Sequence, residues 1–321
     1  MIIVTGAAGF IGSCMISYLQ SEQISDIIAI DDFDQEYKEA NYIHKEGILK
    51  VDRKEAFKFI ETNANELDTI IHLGARTDTV DPDPQIFLEL NIDYSKQIWE
   101  LCAKHQIQLI YASSAATYGD GAFGFSDQME DISVLKPLNE YGRSKQIFDE
   151  WLLEQDEAPT NWIGLKFFNV YGPNEYHKAR MASVIFHAYN QIKETGKMKL
   201  FRSHRADFEN GMQLRDFIYV KDVCSTIVSL MQNPIKSGIY NLGTGKARSF
   251  LDLVTATFDA MDITPNIEYI DIPKDIRDNY QYFTEANMVK LSDEMGEIEF
   301  SSLEDGVTDY VKNYLISHKY L

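Results

Sequence analysis

Tyr141 and Lys145 stand four positions apart in the stretch Glu140-Tyr141-Gly142-Arg143-Ser144-Lys145. On a helix that spacing sets both side chains on one face. A phenol titrates at about 10 and is a poor base at neutral pH, but an ammonium held beside it favours the phenolate and lowers that value. The pair can then pass a proton to or from a carbinol. The same spacing also suits the start of an ordinary amphipathic helix, so its meaning depends on the elements around it.

The N-terminus carries a cradle for a dinucleotide. Ile2 to Thr5 is predicted as a short buried strand, followed at once by Gly6-Ala7-Ala8-Gly9-Phe10-Ile11-Gly12 and a helix over Ser13 to Leu19. Gly6 allows the tight turn, Gly9 lets backbone N–H groups approach a pyrophosphate, Gly12 permits close helix packing, and the helix N-terminus favours phosphate. A second apolar strand, Ile27 to Ile30, ends in Asp31-Asp32, placed to take a ribose hydroxyl. Thr69 to Leu73 and Leu109 to Ala112 are further short apolar runs between helix-like segments. This alternation predicts an α/β fold class, a Rossmann-like doubly wound parallel sheet over residues 1–168. A smaller α/β substrate-binding domain is expected over 169–321, with later segments such as 216–244 partly returning to the first. Within them, the apolar run Phe217 to Val220 is the expected returning strand. Ligands of open α/β sheets bind outside the carboxyl ends of the strands. Leu73-Gly74-Ala75 and Ser113-Ser114 occupy such ends, which brings Ser114 within reach of Tyr141.

The bulk composition narrows the partners. At 321 residues, 45% apolar and 25% charged, the chain has room for about two globular domains. A net charge of -20 argues against nucleic acid and anionic membrane surfaces. Cys14, Cys102 and Cys224 are odd in number and form no CxxC pair, which fits a reduced cytoplasm. Met1 leads straight into Ile2-Ile3-Val4, so neither a signal peptide nor a membrane span is expected, and no metal-ligand spacing is present. The charge balance inverts between Tyr176 and Arg215, where eight Lys or Arg stand against three acids. An anionic ligand would need such a local exception, and arginine forks suit a diphosphate. A solvated basic face would look the same, and Lys193, Lys197 and Lys199 are assigned to one.

The glycine turn, the acidic end of the second strand, Leu73-Gly74-Ala75, the run Ser113-Ser114-Ala115-Ala116-Thr117-Tyr118-Gly119 and YxxxK occur in an order that resembles the extended short-chain dehydrogenase/reductase superfamily. The resemblance implies that Ser114 hydrogen-bonds the substrate carbinol, that Tyr141 moves its proton, and that Lys145 holds the nicotinamide ribose and lowers the tyrosine pKa. Within that superfamily, four segments resemble the ADP-L-glycero-D-manno-heptose 6-epimerases over essentially the full length. They are His177-Lys178-Ala179-Arg180 with His187, Leu214-Arg215-Asp216, Asn241-Leu242-Gly243-Thr244-Gly245 and Asn279-Tyr280-Gln281-Tyr282.

That second resemblance implies an isomerase of nucleotide sugars that supplies heptose for lipopolysaccharide. A carbinol centre is inverted by oxidation and re-reduction with the same hydride, which requires proton handling on two faces. Tyr141 would serve one face, and Lys178, its pKa lowered by partial burial, the other. The implied sugar-nucleotide contacts are Ser114, Asn169, Arg180, His187, Phe201, Arg202, Ser203, His204, Arg215 and Tyr280. The implied dinucleotide contacts add Lys38, Lys54, Asn91, Val170 and Lys178 to the glycine turn, Asp31, Asp32, Leu73 to Ala75, Tyr141 and Lys145. The chain departs from the family in carrying Arg180 where some members have serine, and in the insertion-like stretch Ala206 to Gln213.

NADP is the first expectation and NAD the alternative, because Asp31 and Asp32 repel a 2′-phosphate while Lys38 and the Arg53-Lys54 pair would neutralise one. A homo-oligomer, often a pentamer in the family, is expected. Ala115 and Ala116 stand where a dehydratase has an acidic pair, which weighs against elimination. Two alternatives stay open: a UDP-hexose 4-epimerase, and a non-catalytic dinucleotide sensor, against which both Tyr141 and Lys145 are retained.

Overall fold

The computed structural model describes all residues but 278 and 279, and of 275 and 276 the backbone alone; Asn279 therefore lies outside the described residues. Six strands alternate with helices in the first half: β1 (Ile2–Thr5), β2 (Ile27–Asp31), β3 (Ile48–Asp52), β4 (Thr69–His72), β5 (Gln108–Ser114) and β6 (Trp162–Phe167). The second half contributes β7 (Asn169–Tyr171), β8 (Met198–Phe201), β9 (Leu214–Tyr219), β10 (Gly238–Leu242), β11 (Ala247–Ser249) and β12 (Ile267–Ile270).

The main sheet has seven strands in the order β10-β6-β5-β4-β1-β2-β3, all parallel. Its central strands are near-continuous apolar runs because helices cover both faces. Alternate residues then feed opposite cores. Ile2 and Val4 pack with the helices Phe10–Ser21 and Val220–Gln232 on one side, and Ile3 packs with Trp99 and Phe148 on the other.

One expectation is corrected here. The strand that returns to the main sheet is β10, paired with β6 from Gly238↔Ile163 to Leu242↔Phe167, and not Phe217 to Val220. That run instead lies in and just after β9, the centre of a separate three-stranded sheet ordered β11-β9-β7. A buried apolar run specifies a strand but not its neighbours. A two-stranded parallel ribbon of β12 and β8 completes the second half. No helix among the described residues is long and apolar enough to cross a membrane.

Candidate active site

A cleft of about 490 Å³ opens at the carboxyl edge of the main sheet. Its lining includes Gly6, Gly9, Phe10, Ile11 and Gly12 after β1, Asp31, Asp32 and Lys38 after β2, Leu73, Gly74 and Ala75 after β4, and Lys178 from the second half. Gly6 has φ +67°, and a Cβ there would stand 2.7 Å from the backbone nitrogen of Gly74. Glycine thus lets two strand ends meet below the N-terminus of the helix Phe10–Ser21, a surface of backbone N–H groups that fits a pyrophosphate.

The acidic end of β2 is already engaged. Asp31 accepts from the Ala8 N–H at 2.9 Å and from Lys38 at 3.2 Å. Arg53 rather than Lys54 lines the cleft, its guanidinium 3.4 Å from Asp32, while Lys54 is exposed and donates its N–H to Asp52. The carboxylates of Asp32, Asp34 and Asp52 converge within 4.8 Å at this end, and Arg53 supplies a counter-charge. Asn91 stands behind the cleft. It accepts from the Arg76 N–H at 2.7 Å, donates to the Arg76 carbonyl at 3.0 Å and donates to Ser144 of the Tyr141 helix at 2.8 Å. Val170 is half-buried in β7.

Tyr141 and Ser114 are carried by adjoining elements. The helix Glu140–Leu153 starts at Asn139, whose side chain accepts from the Gly142 N–H at 2.8 Å. A Cβ on Gly142 would stand 2.7 Å from the Ala116 carbonyl oxygen, so glycine lets this helix begin against the turn that Ser114 caps. The Ser114 hydroxyl accepts from the Ala116 N–H at 3.1 Å and acts on the Tyr141 phenol by favouring its phenolate. Lys145 donates to the carbonyl of Ala112 in β5 at 2.8 Å.

Burial dominates the electrostatics of this pair. Burial raises the Tyr141 pKa, with the Ser114 hydrogen bond opposing and Asp149 adding to the rise. Burial also depresses Lys145 to about 8, against Asp149, which favours the ammonium. Desolvation therefore outweighs any lowering of the phenol by Lys145, whose ammonium is drawn to a carbonyl.

Lys178 lies in a 3₁₀ turn over Tyr176–Met181, with Nζ 5.3 Å from the ring centre of Phe10. Burial lowers its pKa, and Glu175 opposes the shift. The next residue, Ala179, is held at φ +47°, a left-handed conformation costly for a side chain with a Cβ. This reversal separates half-buried Lys178 from exposed Arg180, which pairs with Asp78 at 2.9 Å across the cleft mouth. Arg180, expected among the sugar contacts, thus has a carboxylate partner.

The expected sugar-nucleotide residues separate into a cluster and outliers. Phe201 and Tyr280 meet edge to face at 5.9 Å, and the Arg215 guanidinium lies 5.7 Å from the Tyr280 ring. Arg215 also donates to the Gln281 carbonyl, and Gln281 donates to Gly119 at the end of the Ser114 turn, so this cluster adjoins that turn. His204 joins through its N–H to the Tyr282 hydroxyl at 3.0 Å. Arg202 pairs with Asp271 on the surface, Ser203 bonds within its own loop, and His187 and Asn169 are exposed.

Sequence reasoning passes over Asp149, Lys166 and His72. The helical period that links Tyr141 to Lys145 continues to Asp149 and could have found it. Lys166 has no such signal, being a lysine inside an apolar strand. His72 is buried between Thr5 and Ser95 at 2.7 and 3.0 Å, with its pKa pushed down to about 3 by burial.

Comparison with known proteins agrees with this geometry. The model of the NAD dependent epimerase/dehydratase family matches residues 2–243. The chain is 46% identical to the ADP-L-glycero-D-manno-heptose-6-epimerase of Fusobacterium nucleatum over 98% of each chain. It is 48% identical to that of Nitratidesulfovibrio vulgaris, again over 98% of each. Among solved structures, the Helicobacter pylori ADP-L-glycero-D-manno-heptose-6-epimerase superposes with TM-score 0.81 at 26% identity, covering 97% of this chain and 95% of that one. The fold is shared with the UDP-N-acetylglucosamine 4-epimerase of Methanobrevibacter ruminantium, TM-score 0.82 at 22% identity, over 99% of this chain and 98% of that one.

Proposed function

This chain belongs to the NAD dependent epimerase/dehydratase family, and from that premise we propose that it interconverts ADP-D-glycero-D-manno-heptose and ADP-L-glycero-D-manno-heptose by inverting C6. The observation that carries this reading is a buried Lys178 in the lining of the dinucleotide cleft, on a different element from the buried Tyr141 that is the other proton-handling candidate. Tyr141 sits on a helix of the first half and Lys178 on a turn of the second half.

A bound nicotinamide dinucleotide would take the hydride from the carbinol carbon and return it, with no net redox. Ser114 would hold the carbinol oxygen while Tyr141 takes its proton. After the ketone presents its other face, Lys178 would deliver a proton to the oxygen there. The net lowering of Lys178 by burial moves it toward the range where a group can both give and take a proton. Arg215, stacked against Tyr280, would face the diphosphate or the adenine. Ala115 and Ala116, which begin the turn after Ser114, carry no acid to protonate a departing hydroxyl.

Incubating the purified protein with ADP-D-glycero-D-manno-heptose and following C6 by NMR tests the reading, with UDP-galactose alongside. Turnover of UDP-galactose alone would replace it by a 4-epimerase, and turnover of neither by a dinucleotide sensor. We take the dinucleotide to be NADP, supported by Lys38 and Arg53 in the cleft lining, with NAD as the alternative supported by Asp31 and Asp32. The mass of the dinucleotide released on denaturation separates them. A homo-oligomer is proposed from the family alone, and light scattering at the monomer mass of 36.8 kDa would contradict it.

A further inference from the structure

We propose that Asp149 and Lys166 form a buried positioning pair that holds Ser114, Tyr141 and Lys145 in their reacting arrangement. The inference rests on the reading of those three residues as the reaction centre. Lys166 Nζ lies 2.6 Å from Asp149, with side-chain exposures of 2% and 0%. Asp149 also accepts from Tyr111 at 2.9 Å and from Ser113 at 2.6 Å. Lys166 donates further to Thr117 at 2.8 Å, and Thr117 donates to the Ser114 carbonyl at 2.9 Å.

These bonds converge on one short segment. Tyr111 and Ser113 flank Ala112, whose carbonyl accepts from Lys145, and Ser113 precedes Ser114. Thr117 lies in the turn that Ser114 caps. On the other side, Asp149 follows Lys145 by one helical turn and Tyr141 by two. The pair thus ties strand β5, its following turn, strand β6 and the catalytic helix to a single carboxylate. Taking two charges out of water costs several kcal/mol each, so such a pair is weak evidence for stability, and a role in fixing geometry accounts better for it.

The carboxylate has an electrical consequence too. Asp149 favours the ammonium of Lys145 against burial. The titratable groups facing Lys145 are Tyr141 and Asp149 on its own helix, His72 from β4, and Tyr111 and Lys166 reached through Asp149. Without Asp149, Lys145 loses its proton at lower pH.

The test is the double variant Asp149→Asn with Lys166→Met, which removes both charges and leaves an amide oxygen for Tyr111 and Ser113. With folding checked by thermal unfolding and bound dinucleotide by release, C6 epimerisation of ADP-D-glycero-D-manno-heptose is followed across pH. The expected result is kcat reduced at least about tenfold with KM little changed. A folded double variant with wild-type kcat overturns the proposal. Should that variant not fold, Ser113→Ala and Tyr111→Phe leave the ion pair in place while loosening its hold on β5. Each should lower kcat several-fold with KM unchanged, and wild-type kcat in both overturns the proposal. Tyr141→Phe in the same assay separates the two ideas. If it keeps full turnover, the reaction-centre reading fails and the positioning proposal falls with it, whereas its inactivation beside a normal double variant sinks the positioning pair alone.

Discussion

Two ion pairs of similar length lie in opposite surroundings. Asp149–Lys166 spans 2.6 Å with both side chains sealed from water, whereas Arg180–Asp78 spans 2.9 Å with exposures of 65% and 20%. Distance does not distinguish them; the surrounding medium does. In a low-dielectric interior the attraction is large and so is the cost of leaving one charge alone, while at the surface water screens both. The first pair sits in a segment crossed by hydrogen bonds between strands and helix, and the second joins two loops. The segment around Ser114 is therefore tied down by buried bonds, whereas Arg180 and Asp78 can part at little cost.

The largest expected effect bears on whether Lys178 belongs with the buried group or with the exposed rim. Tyr141→Phe and Lys178→Met should each lower C6 epimerisation by about 10²–10⁴-fold, as loss of a positioned acid or base does, while the fold and the bound dinucleotide persist. Should Lys178→Met turn over ADP-heptose at near the wild-type rate, Lys178 joins Arg180 as a rim cation and the two-base scheme is wrong.

Next in size is the single variant Asp149→Asn, which strands Lys166 in the interior. It should cost about 3–5 kcal/mol in urea unfolding. A loss under about 1 kcal/mol would mean that water reaches the pair, and the contrast between the two regions would weaken.

A third test titrates the buried side. His72 is pushed down to about 3 in the folded protein from an ordinary 6.5, so below pH 6.5 the unfolded chain takes up a proton that the folded chain does not. Its contribution to stability is complete above that pH and is lost as pH falls from 6.5 toward 3, by about 1.4 kcal/mol per pH unit. Urea unfolding at pH 7 and pH 5 should show a steeper loss in the wild type than in His72→Gln. Equal slopes would place the proton elsewhere.

The smallest effect is expected at the rim. Arg180→Gln should change stability by less than about 1 kcal/mol, and the difference should fade with added salt. A larger, salt-resistant loss would show that the rim pair is more shielded than its exposure implies. Cofactor release measured in the same variant sharpens the point, because Arg180 and Asp78 close the mouth of the dinucleotide cleft.

Much of the first half was legible in the residues alone. The step from Ile2-Ile3-Val4 into Gly6, Gly9 and Gly12 encodes strand, turn and helix through buried apolar side chains, permitted positive φ and close approach, and all three act within a dozen residues. The four-residue period from Tyr141 to Lys145 marked the helix Glu140–Leu153 in the same local way, while its cap at Asn139 emerged only in the structure.

What the tertiary structure alone decided is which charges meet and how dry they are. Arg180 was expected at the sugar and pairs with Asp78, 102 residues away. The strand returning to the main sheet is Gly238–Leu242 and not the equally apolar run at Phe217, because both are buried and only packing chooses their neighbours. Tyr141 titrates upward although a lysine follows one turn later. Capping, periodicity and glycine turns are set by neighbours along the chain, so a sequence displays them. Desolvation and ion pairing depend on every element that excludes water from a site, and those elements, here β4, β5, β6 and the helix Glu140–Leu153, come together only when the chain is folded.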